Sequence, residues 1–281
     1  MIGLRDILHV VWRCGNESSS SILSDRKNPV HTPSLSRGIS MRQFFSFQRP
    51  KKEVFEGRVV MTDPGVHAPV AEALAQRLPK DARILEIGAG AGAFTLRLHR
   101  MGFQHIHAVD IDDQHFDIDE VTFTKVSATT PLHEQLKGMT FDAIVAVEVI
   151  EHVLSTFQFL KSAKELLAPG GFLFLTTPNI CSFYSRIVFL KEGRYFHFQG
   201  KDSWEMGHIN PVPFFVLEQL SDDMDLKQIF RQELGHMPVL NWSSMRLKTL
   251  LLSLPRLALF SMMKGPGPID GNVLFYGFQM P

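Results

Sequence analysis

Two carboxylates and an imidazole lie close together near the middle of the chain. Glu148, Glu151 and His152 have the spacing i, i+3, i+4, which places the three side chains on one face of a helical turn. Carboxylate oxygens and imidazole nitrogens suit Mg²⁺, Mn²⁺ or Zn²⁺. Without a metal, His152 would act as a general base or anchor its loop. The pattern therefore predicts a catalytic centre built on Glu151 and His152, with a metal or without one.

A glycine-rich segment, Glu86-Ile-Gly-Ala-Gly-Ala-Gly92, stands about sixty residues earlier. Glycines at such positions let the backbone approach a ligand closely and adopt conformations closed to other residues. Asp110 follows 20 residues after Gly90, at the end of the next predicted strand. A carboxylate there can accept hydrogen bonds from both hydroxyls of a ribose. Together these features predict a site for an adenosine-containing ligand.

The identity of that ligand depends on the acid beside the loop. The spacing Gly88-x-Gly90-x-x-Ala93 also satisfies the looser dinucleotide fingerprint, so the glycines alone leave NAD open. Glu86 places negative charge where a pyrophosphate would be repelled and where the cationic sulfonium and amino groups of S-adenosylmethionine would be attracted. We therefore favour S-adenosylmethionine, with an NAD-dependent oxidoreductase as the weaker alternative.

Strand and helix patterns alternate from residue 58 onward, which predicts parallel β-α-β units in a doubly wound sheet. Strands are predicted at 83–87, 105–109, 121–126, 141–147 and 172–177, and helices at 66–78, 93–101 and 155–167, the last stopped by Pro169-Gly-Gly171. The remainder is less regular, with an aromatic- and histidine-rich segment at 178–213, a helix at 214–222 and an antiparallel strand at 271–279.

Three of these segments carry a family resemblance. Ile84–Phe94 with Val109-Asp110, Phe141–Val153, and Leu167–Phe172 with Thr177-Pro-Asn179 resemble class I S-adenosylmethionine-dependent methyltransferases, nearest to the branch of the ubiquinone-biosynthesis O-methyltransferases. The resemblance covers residues 58–180. It implies a Rossmann-like, doubly wound seven-stranded sheet, mostly parallel with a reversed C-terminal strand that residues 271–279 would supply.

The same resemblance implies a set of cofactor contacts. Ser127 stands where the family often has an acid that binds the adenine amino group, and a hydroxyl would make a weaker hydrogen bond there. The acidic stretch between Asp110 and Val121 is short for the usual crossover helix and predicts a loop. The cofactor-binding residues are then Glu86, Gly88, Ala89, Gly90, Gly92, Asp110, Ser127 and Glu148.

The acid and histidine pattern also resembles a known metal motif. Glu-x-x-Glu-His is similar to the metal-binding sequence of ubiquinone-type O-methyltransferases and of small-RNA 2′-O-methyltransferases. In the RNA branch a further histidine comes from beyond the fifth strand, and His208 is the first candidate here, with His197 second. The implied metal set, for Mg²⁺ or another divalent ion, is Glu148, Glu151, His152 and His208.

Composition narrows the function classes. The 29 Lys and Arg balance the 29 Asp and Glu, which disfavours a dedicated nucleic-acid binder because phosphate affinity needs clustered positive charge. Only two cysteines, Cys14 and Cys181, are present, so a reducing compartment is expected. We predict O-methylation of a small aromatic or lipid-like hydroxyl acceptor. The alternatives are a metal-dependent RNA 2′-O-methyltransferase and a catalytically inactive, methyltransferase-like binding module.

The predicted organisation is one domain with an extension. Residues 1–50 are predicted to be disordered or extended, with a transit peptide or a true start at Met41 as alternatives. Residues 51–281 form the methyltransferase domain, divided into a core (58–180), a substrate-side insertion (181–213) and C-terminal helices with the last strand (214–281). We expect a cytoplasmic protein that contacts a membrane peripherally through the apolar, basic segment 245–263, for which ordinary helix packing is the competing interpretation.

The insertion is expected to cover the acceptor. Its histidine and aromatic group is interpreted either as functional or as a satellite core beneath a long loop; the group comprises Tyr195, His197, Trp204 and His208. Six phenylalanines are candidates for an apolar acceptor pocket, namely Phe183, Phe189, Phe196, Phe198, Phe214 and Phe215.

Overall fold

The computed structural model of the chain describes residues 52–198, 207–235, 258, 261–262 and 267–281. The extension at 1–50, Trp204 and most of the segment 245–263 lie outside these residues. Nine strands are described: β1 (Val54–Phe55), β2 (Arg58–Val59), β3 (Arg83–Ile87), β4 (His105–Asp110), β5 (Thr122–Lys125), β6 (Phe141–Val147), β7 (Leu167–Pro178), β8 (Lys227–Leu234) and β9 (Val273–Gln279). The helices are α1 (His67–Ala75), α2 (Ala93–Arg100), α3 (Leu132–Gln135), α4 (Thr156–Leu166), α5 (Phe183–Glu192) and α6 (Phe214–Asp223), with 3₁₀ turns at Ile150–His152 and Phe196–Phe198.

Seven strands form one sheet in the order β5-β4-β3-β6-β7-β9-β8. The pairs from β5 through β7 are parallel, and β9 runs antiparallel to both β7 and β8. The predicted fold class, with a reversed C-terminal strand, is confirmed. The chain leaves β3 toward one edge and returns to β6 on the other side of β3, so the strand order reverses between these two strands. Ligands of such sheets bind at this point, outside the carboxyl ends of the strands.

The central strands form because both of their faces are buried. Ile84 and Leu85 are neighbours in β3, are fully buried, and belong to different hydrophobic clusters on opposite faces of the sheet. Helices α1 and α2 cover the Ile84 face, and α4 and α6 cover the Leu85 face. These layers hold the carboxyl ends of β3 and β6 rigidly beside each other.

The observed elements depart from the predicted ones in the second half of the domain. Helix α4 ends at Leu166, and Pro169-Gly-Gly171, predicted to stop it, lies inside β7, which pairs with β6 through a register shift. Strand β8 was not predicted. Within the aromatic-rich segment, α5 was also missed; Ser182 caps its first turn, and Gly193 ends it with a φ of 67°.

Two expectations about the chain can be compared directly with these elements. The acidic stretch after Asp110 contains no helix, as predicted, and β5 begins at Thr122. Among the described residues, no helix is both long enough and apolar enough to cross a bilayer.

Candidate cofactor crevice and acid-histidine site

The glycine loop occupies the end of β3 in the backbone conformations that its glycines allow. Gly88, Gly90 and Gly92 have φ values of 80°, 52° and 78°, in the left-handed region that L side chains rarely adopt. A Cβ on Gly88 would lie 2.5 Å from Val149 Cγ2, whereas a Cβ on Gly90 would meet nothing within 4 Å. The loop therefore packs tightly on the segment after β6 at Gly88 and is open at Gly90, where a ligand can approach the backbone.

Asp110 lies beside this opening, as predicted. Its Oδ2 accepts a hydrogen bond from the Gly90 backbone N–H at 2.7 Å, and its Oδ1 accepts one from the Asp112 N–H at 3.0 Å. Burial raises the pKa of Asp110, and these hydrogen bonds lower it. The Ile111 backbone also hydrogen-bonds this carboxyl. The two oxygens together have four lone pairs, so at least one acceptor position remains for a ligand. The geometry fits the predicted contact with ribose hydroxyls.

Glu86 is buried beneath the loop and is oriented by a residue that the sequence did not identify. The Thr95 hydroxyl, on α2, donates to Glu86 Oε2 at 2.6 Å, and both side chains are buried. Burial raises the pKa of Glu86 to about 7, against the lowering effect of the Thr95 hydrogen bond. Asp110 raises it further, by charge repulsion. The carboxyl thus titrates near neutral pH.

We expect cofactor affinity to follow the ionisation of Glu86. The folded-state pKa of about 7 lies above the ordinary value of 4.5. Folding stability is therefore lost as the pH rises through this range and the buried carboxyl ionises. Only the ionised form attracts a cationic ligand, so the affinity for S-adenosylhomocysteine, which keeps the amino group, should rise about tenfold between pH 6 and 8. Calorimetric titrations between pH 6 and 8 measure this change in affinity.

Two variants make that pH profile specific to Glu86. Glu86→Gln removes the titrating group and should flatten the profile. Thr95→Val removes the hydrogen bond that lowers the pKa and should move the midpoint to higher pH. A wild-type profile that is already flat would contradict the assignment.

Ser127 lies on the exposed loop after β5. Its hydroxyl is 2.8 Å from the Thr129 hydroxyl, and Gln135 holds the loop by donating to the Ser127 carbonyl at 2.9 Å and to the Thr130 carbonyl at 2.8 Å. The loop is thus ordered by side-chain hydrogen bonds. The adenine contact of Ser127 stays a prediction.

The segment after β6 carries the acids and the imidazole. Glu148 has a φ of 53°, and its backbone N–H donates to the Thr176 hydroxyl at 2.9 Å. Burial raises the pKa of Glu148 to about 8, and the nearby Asp63 carboxylate raises it further, while a hydrogen bond from the Asp63 backbone lowers it. Asp63 precedes α1 and had no sequence signal. Its charge makes this end of the site strongly acidic.

Glu151 is the most deeply buried charged residue of the site. Its exposed fraction is 0%, and neither carboxyl oxygen makes a hydrogen bond of ordinary geometry within the described part of the chain. Burial, and then the neighbouring Glu148, raise its pKa well above the ordinary value, while the Thr177 hydroxyl is near enough to lower it. A buried carboxyl with so little compensation requires an explanation, and a cation would provide one.

His152 and His208 meet next to this carboxyl. Their rings are 4.8 Å apart in a T-shaped arrangement. His208 Nδ1 donates to the His197 carbonyl at 2.9 Å, which leaves its Nε2 as the nitrogen with a free lone pair. Burial, and then His208, lower the pKa of His152 to about 4. Burial also lowers the pKa of His208. Both shifts favour the neutral imidazole, which is the form that binds metals.

The structure brings together three of the four predicted metal ligands. One donor atom from each of Glu151, His152 and His208 lies within 4.8 Å of the others. The 207–210 segment is held there because the Ile209 and Asn210 backbone N–H groups both donate to the Glu151 carbonyl, at 3.1 and 3.0 Å. One oxygen and two nitrogen donors in a buried setting fit a divalent cation.

The other two candidates lie beside this group and are not members of it. Glu148, predicted as the fourth ligand, lies outside the group of three donors, where it makes the hydrogen bond with Asp63 described above; its role as a ligand stays a prediction. His197, the second choice for the histidine, supplies its carbonyl to His208, and its Nε2 is buried without a hydrogen bond among the described residues. Burial lowers the pKa of His197 to about 4.

One aromatic ring packs on His208, and other aromatic rings lie on the same segment of the chain. The Phe198 ring lies 5.5 Å from His208, and Phe189 stacks on Tyr195 at 5.1 Å. Phe183 is buried, whereas Phe189 and Phe215 are about half exposed. The predicted pocket residues thus differ in exposure, and the acceptor pocket stays a prediction.

Comparisons with known proteins show the family to which the chain belongs. A family model described as a methyltransferase domain matches residues 65–229. The human mitochondrial ubiquinone biosynthesis O-methyltransferase is 33% identical over 134 residues, covering 44% of this chain and 36% of that protein. The Arabidopsis thaliana protein of the same name is 38% identical over 104 residues, covering 34% and 32%. The aligned parts are thus about a third of the length of these two relatives.

A solved structure from Bacillus halodurans C-125, assigned as a methyltransferase, superimposes with a TM-score of 0.50 at 12% identity, over 77% of this chain and 99% of that one. At this identity the superposition supports the fold alone. The sheet order and the glycine crevice are those of class I S-adenosylmethionine-dependent methyltransferases. The chain belongs to the methyltransferase-domain family, near the branch of the ubiquinone biosynthesis O-methyltransferases.

Proposed function

We propose that the protein transfers the methyl group of S-adenosylmethionine to a hydroxyl of a small aromatic or lipid-like acceptor, with a divalent metal held by Glu151, His152 and His208. The observation that carries this proposal is the convergence of these three donors beside the cofactor crevice. The names of the relatives support a hydroxyl acceptor, since they are O-methyltransferases.

The crevice and the acid-histidine site are neighbours. Ile87 at the end of β3 pairs with Ala146 near the end of β6, so the glycine loop and the segment after β6 leave the same edge of the sheet. Gly88 packs against Val149, which stands between Glu148 and Glu151 in the sequence. Methyl transfer is an in-line displacement in which the acceptor oxygen must lie close to the methyl group. An acceptor bound at the acid-histidine site would lie beside a cofactor bound in the crevice.

The protein's own residues would position the acceptor and manage its proton. A divalent cation, when bound, would lower the pKa of the acceptor hydroxyl and fix its orientation. Glu151 and the two neutral imidazoles would hold the cation, and the His197 carbonyl would keep the His208 ring in the required tautomer. The predicted alternative, in which His152 accepts the hydroxyl proton directly, uses the same neutral imidazole.

The surroundings favour an apolar acceptor. Phe198 packs beside His208, and the stacked Phe189 and Tyr195 lie on the adjoining elements. No observation on the described residues favours the RNA or inactive-module alternatives. The cytoplasmic location and the membrane contact through 245–263 stay predictions, because most of that segment lies outside the described residues.

Three measurements on the purified full-length protein test the proposal. Calorimetry should show binding of S-adenosylhomocysteine and not of NAD; no heat with the first would remove the methyltransferase function. Labelled S-adenosylmethionine should methylate members of a panel of catechols and phenols with apolar substituents. Methylation of an RNA oligonucleotide alone would favour the RNA enzyme, and cofactor binding with no transfer to any acceptor would favour the inactive module.

The metal is tested separately. EDTA should abolish transfer to the catechol or phenol that the wild-type protein methylates, and Mg²⁺ or Mn²⁺ should restore it. Activity unchanged by EDTA would leave His152 as a general base or as part of the scaffold, without affecting the cofactor assignment.

A further inference from the structure

A small hairpin precedes the sheet and lies outside it. Strands β1 and β2 pair antiparallel, with Phe55 opposite Arg58. The two turn residues, Glu56 and Gly57, have φ values of 44° and 83°, and two positive φ values are typical of the tight turns that match the twist of a hairpin. Gly57 adopts this conformation readily, whereas Glu56 does so at a cost. The hairpin therefore has a defined turn geometry, and its contacts with the rest of the domain indicate its role.

The hairpin packs against α2, the helix that begins directly after the glycine loop. Glu53 forms a half-buried ion pair with Arg97 at 2.7 Å. The Arg97 guanidinium also lies 4.2 Å from the centroid of the Phe55 ring. Glu56 pairs with Arg100 at 3.1 Å on the exposed surface. These contacts hold the hairpin, and with it Arg58, in position on α2.

Arg58 contacts both loops that border the crevice. Its Nη1 donates to the Ala91 carbonyl, within the glycine loop, at 2.6 Å. Its Nη2 donates to the Asp117 carbonyl at 3.4 Å, and the guanidinium also forms an ion pair with the Asp117 carboxylate. Asp117 lies in the loop that follows Asp110. We propose that Arg58 is a positioning residue for cofactor binding, which ties the glycine loop to the loop after β4.

Both loops need such support. Glycine-rich backbone loses more conformational freedom than other backbone when it is ordered, and Gly90 has no neighbouring atom on its Cβ side. The second loop has no helix to hold it and touches the first where Ile118 packs on Gly92, with a Cδ1 only 2.5 Å from an ideal Cβ. A guanidinium that holds both backbones in advance reduces the ordering cost that the cofactor would otherwise meet.

The chemistry of the contact explains why it is an arginine. The planar guanidinium presents several donors in a fixed fork, so one side chain can reach two carbonyls and a carboxylate. A lysine ammonium is a single point on a flexible stem and cannot reproduce all three contacts. The Asp117 carboxylate offsets the positive charge of Arg58, so its effect on a cationic ligand is geometric.

The experiment measures the affinity of the full-length protein for S-adenosylhomocysteine. Arg58→Ala should weaken binding about tenfold, the equivalent of one well-formed hydrogen bond to a charged group. Arg58→Lys should weaken it about threefold, since part of the contact is retained. The matched control is Arg100→Ala, which breaks the other exposed hairpin contact without touching either loop and should stay within about twofold of wild type.

The order of these affinities separates positioning from general destabilisation. Loosening of the hairpin alone would affect the Arg58 and Arg100 variants equally, and that result would overturn the inference. If Arg58→Ala does not fold, Asp117→Asn tests the same bridge by removing the ion pair, with an expected loss of about threefold. Unchanged affinity in a folded Arg58 variant would also refute the inference.

The inference rests on the proposed use of the crevice for S-adenosylmethionine, and the two can fail separately. Wild-type protein that does not bind S-adenosylhomocysteine would refute the proposed function. Wild-type protein that binds, together with an Arg58→Ala variant that binds equally well, would refute only the role of Arg58.

Discussion

Glu151→Gln should lower methyl transfer at saturating Mg²⁺ by about 100-fold or more and abolish calorimetric binding of Mn²⁺. The reason is that Glu151 contributes the one carboxylate of the donor group, and an amide is a far poorer ligand for a hard cation. The metal-free variant should unfold at the same temperature as the wild type or slightly higher. In the metal-free protein, burial favours the protonated, neutral form of Glu151, which glutamine resembles in size and charge.

A loss of activity without a loss of stability distinguishes a metal ligand from a scaffold residue. Glu165→Gln is the matched control, because it makes the same chemical change on α4 at a side chain 43% exposed and outside the donor group. It should retain both Mn²⁺ binding and activity. Glu148→Gln should retain Mn²⁺ binding, since Glu148 is not part of the donor group. Unchanged Mn²⁺ affinity in Glu151→Gln would exclude the proposed ligand set.

The parts of the site that could be predicted are those that depend on short stretches of sequence. The strands at Arg83–Ile87 and Phe141–Val147 have the predicted bounds, because strands buried on both faces appear as continuous apolar runs. The glycine loop follows the first of these strands and the acid-histidine turn follows the second. Their proximity therefore followed from the expected order of parallel strands.

Strand β8 could not be predicted from an apolar run. It lies at the edge of the sheet and, among the described strands, pairs only with β9. Its sequence, Lys-Gln-Ile-Phe-Arg-Gln-Glu-Leu, accordingly has four charged or amide residues exposed and no apolar run. An edge strand does not need an apolar run, and charged side chains on an edge strand discourage pairing with other chains.

The missed site residues act across long sequence separations. Asp63 lies near Glu148 and hydrogen-bonds Asn272 at 3.4 Å, 209 residues away. Arg58 reaches Asp117 across 59 residues. No periodicity or spacing connects such pairs, and they become visible only when packing has placed the elements. His208 was found because a family resemblance supplied the long-range relation that spacing could not.

Gly90→Ala should weaken S-adenosylhomocysteine binding by about 5- to 150-fold, since forcing a methyl group into occupied space costs about 1–3 kcal/mol. In the cofactor-free protein the added Cβ would meet nothing within 4 Å, so the substitution causes no clash there. It introduces only the backbone strain of alanine at a φ of 52°, on the order of 1–2 kcal/mol. The loss of affinity should therefore come from the cofactor, which would occupy the open space that the alanine methyl enters.

Gly138→Ala provides the control for backbone strain. Gly138 has a φ of 86° and no atom within 4 Å of an ideal Cβ. It precedes the amino end of β6, whereas the crevice lies at the carboxyl ends of the parallel strands. It should lose at least as much thermal stability as Gly90→Ala and keep full affinity in calorimetry. Equal affinities in both variants would mean that no ligand approaches Gly90, and the assignment of the crevice to S-adenosylmethionine would then be wrong.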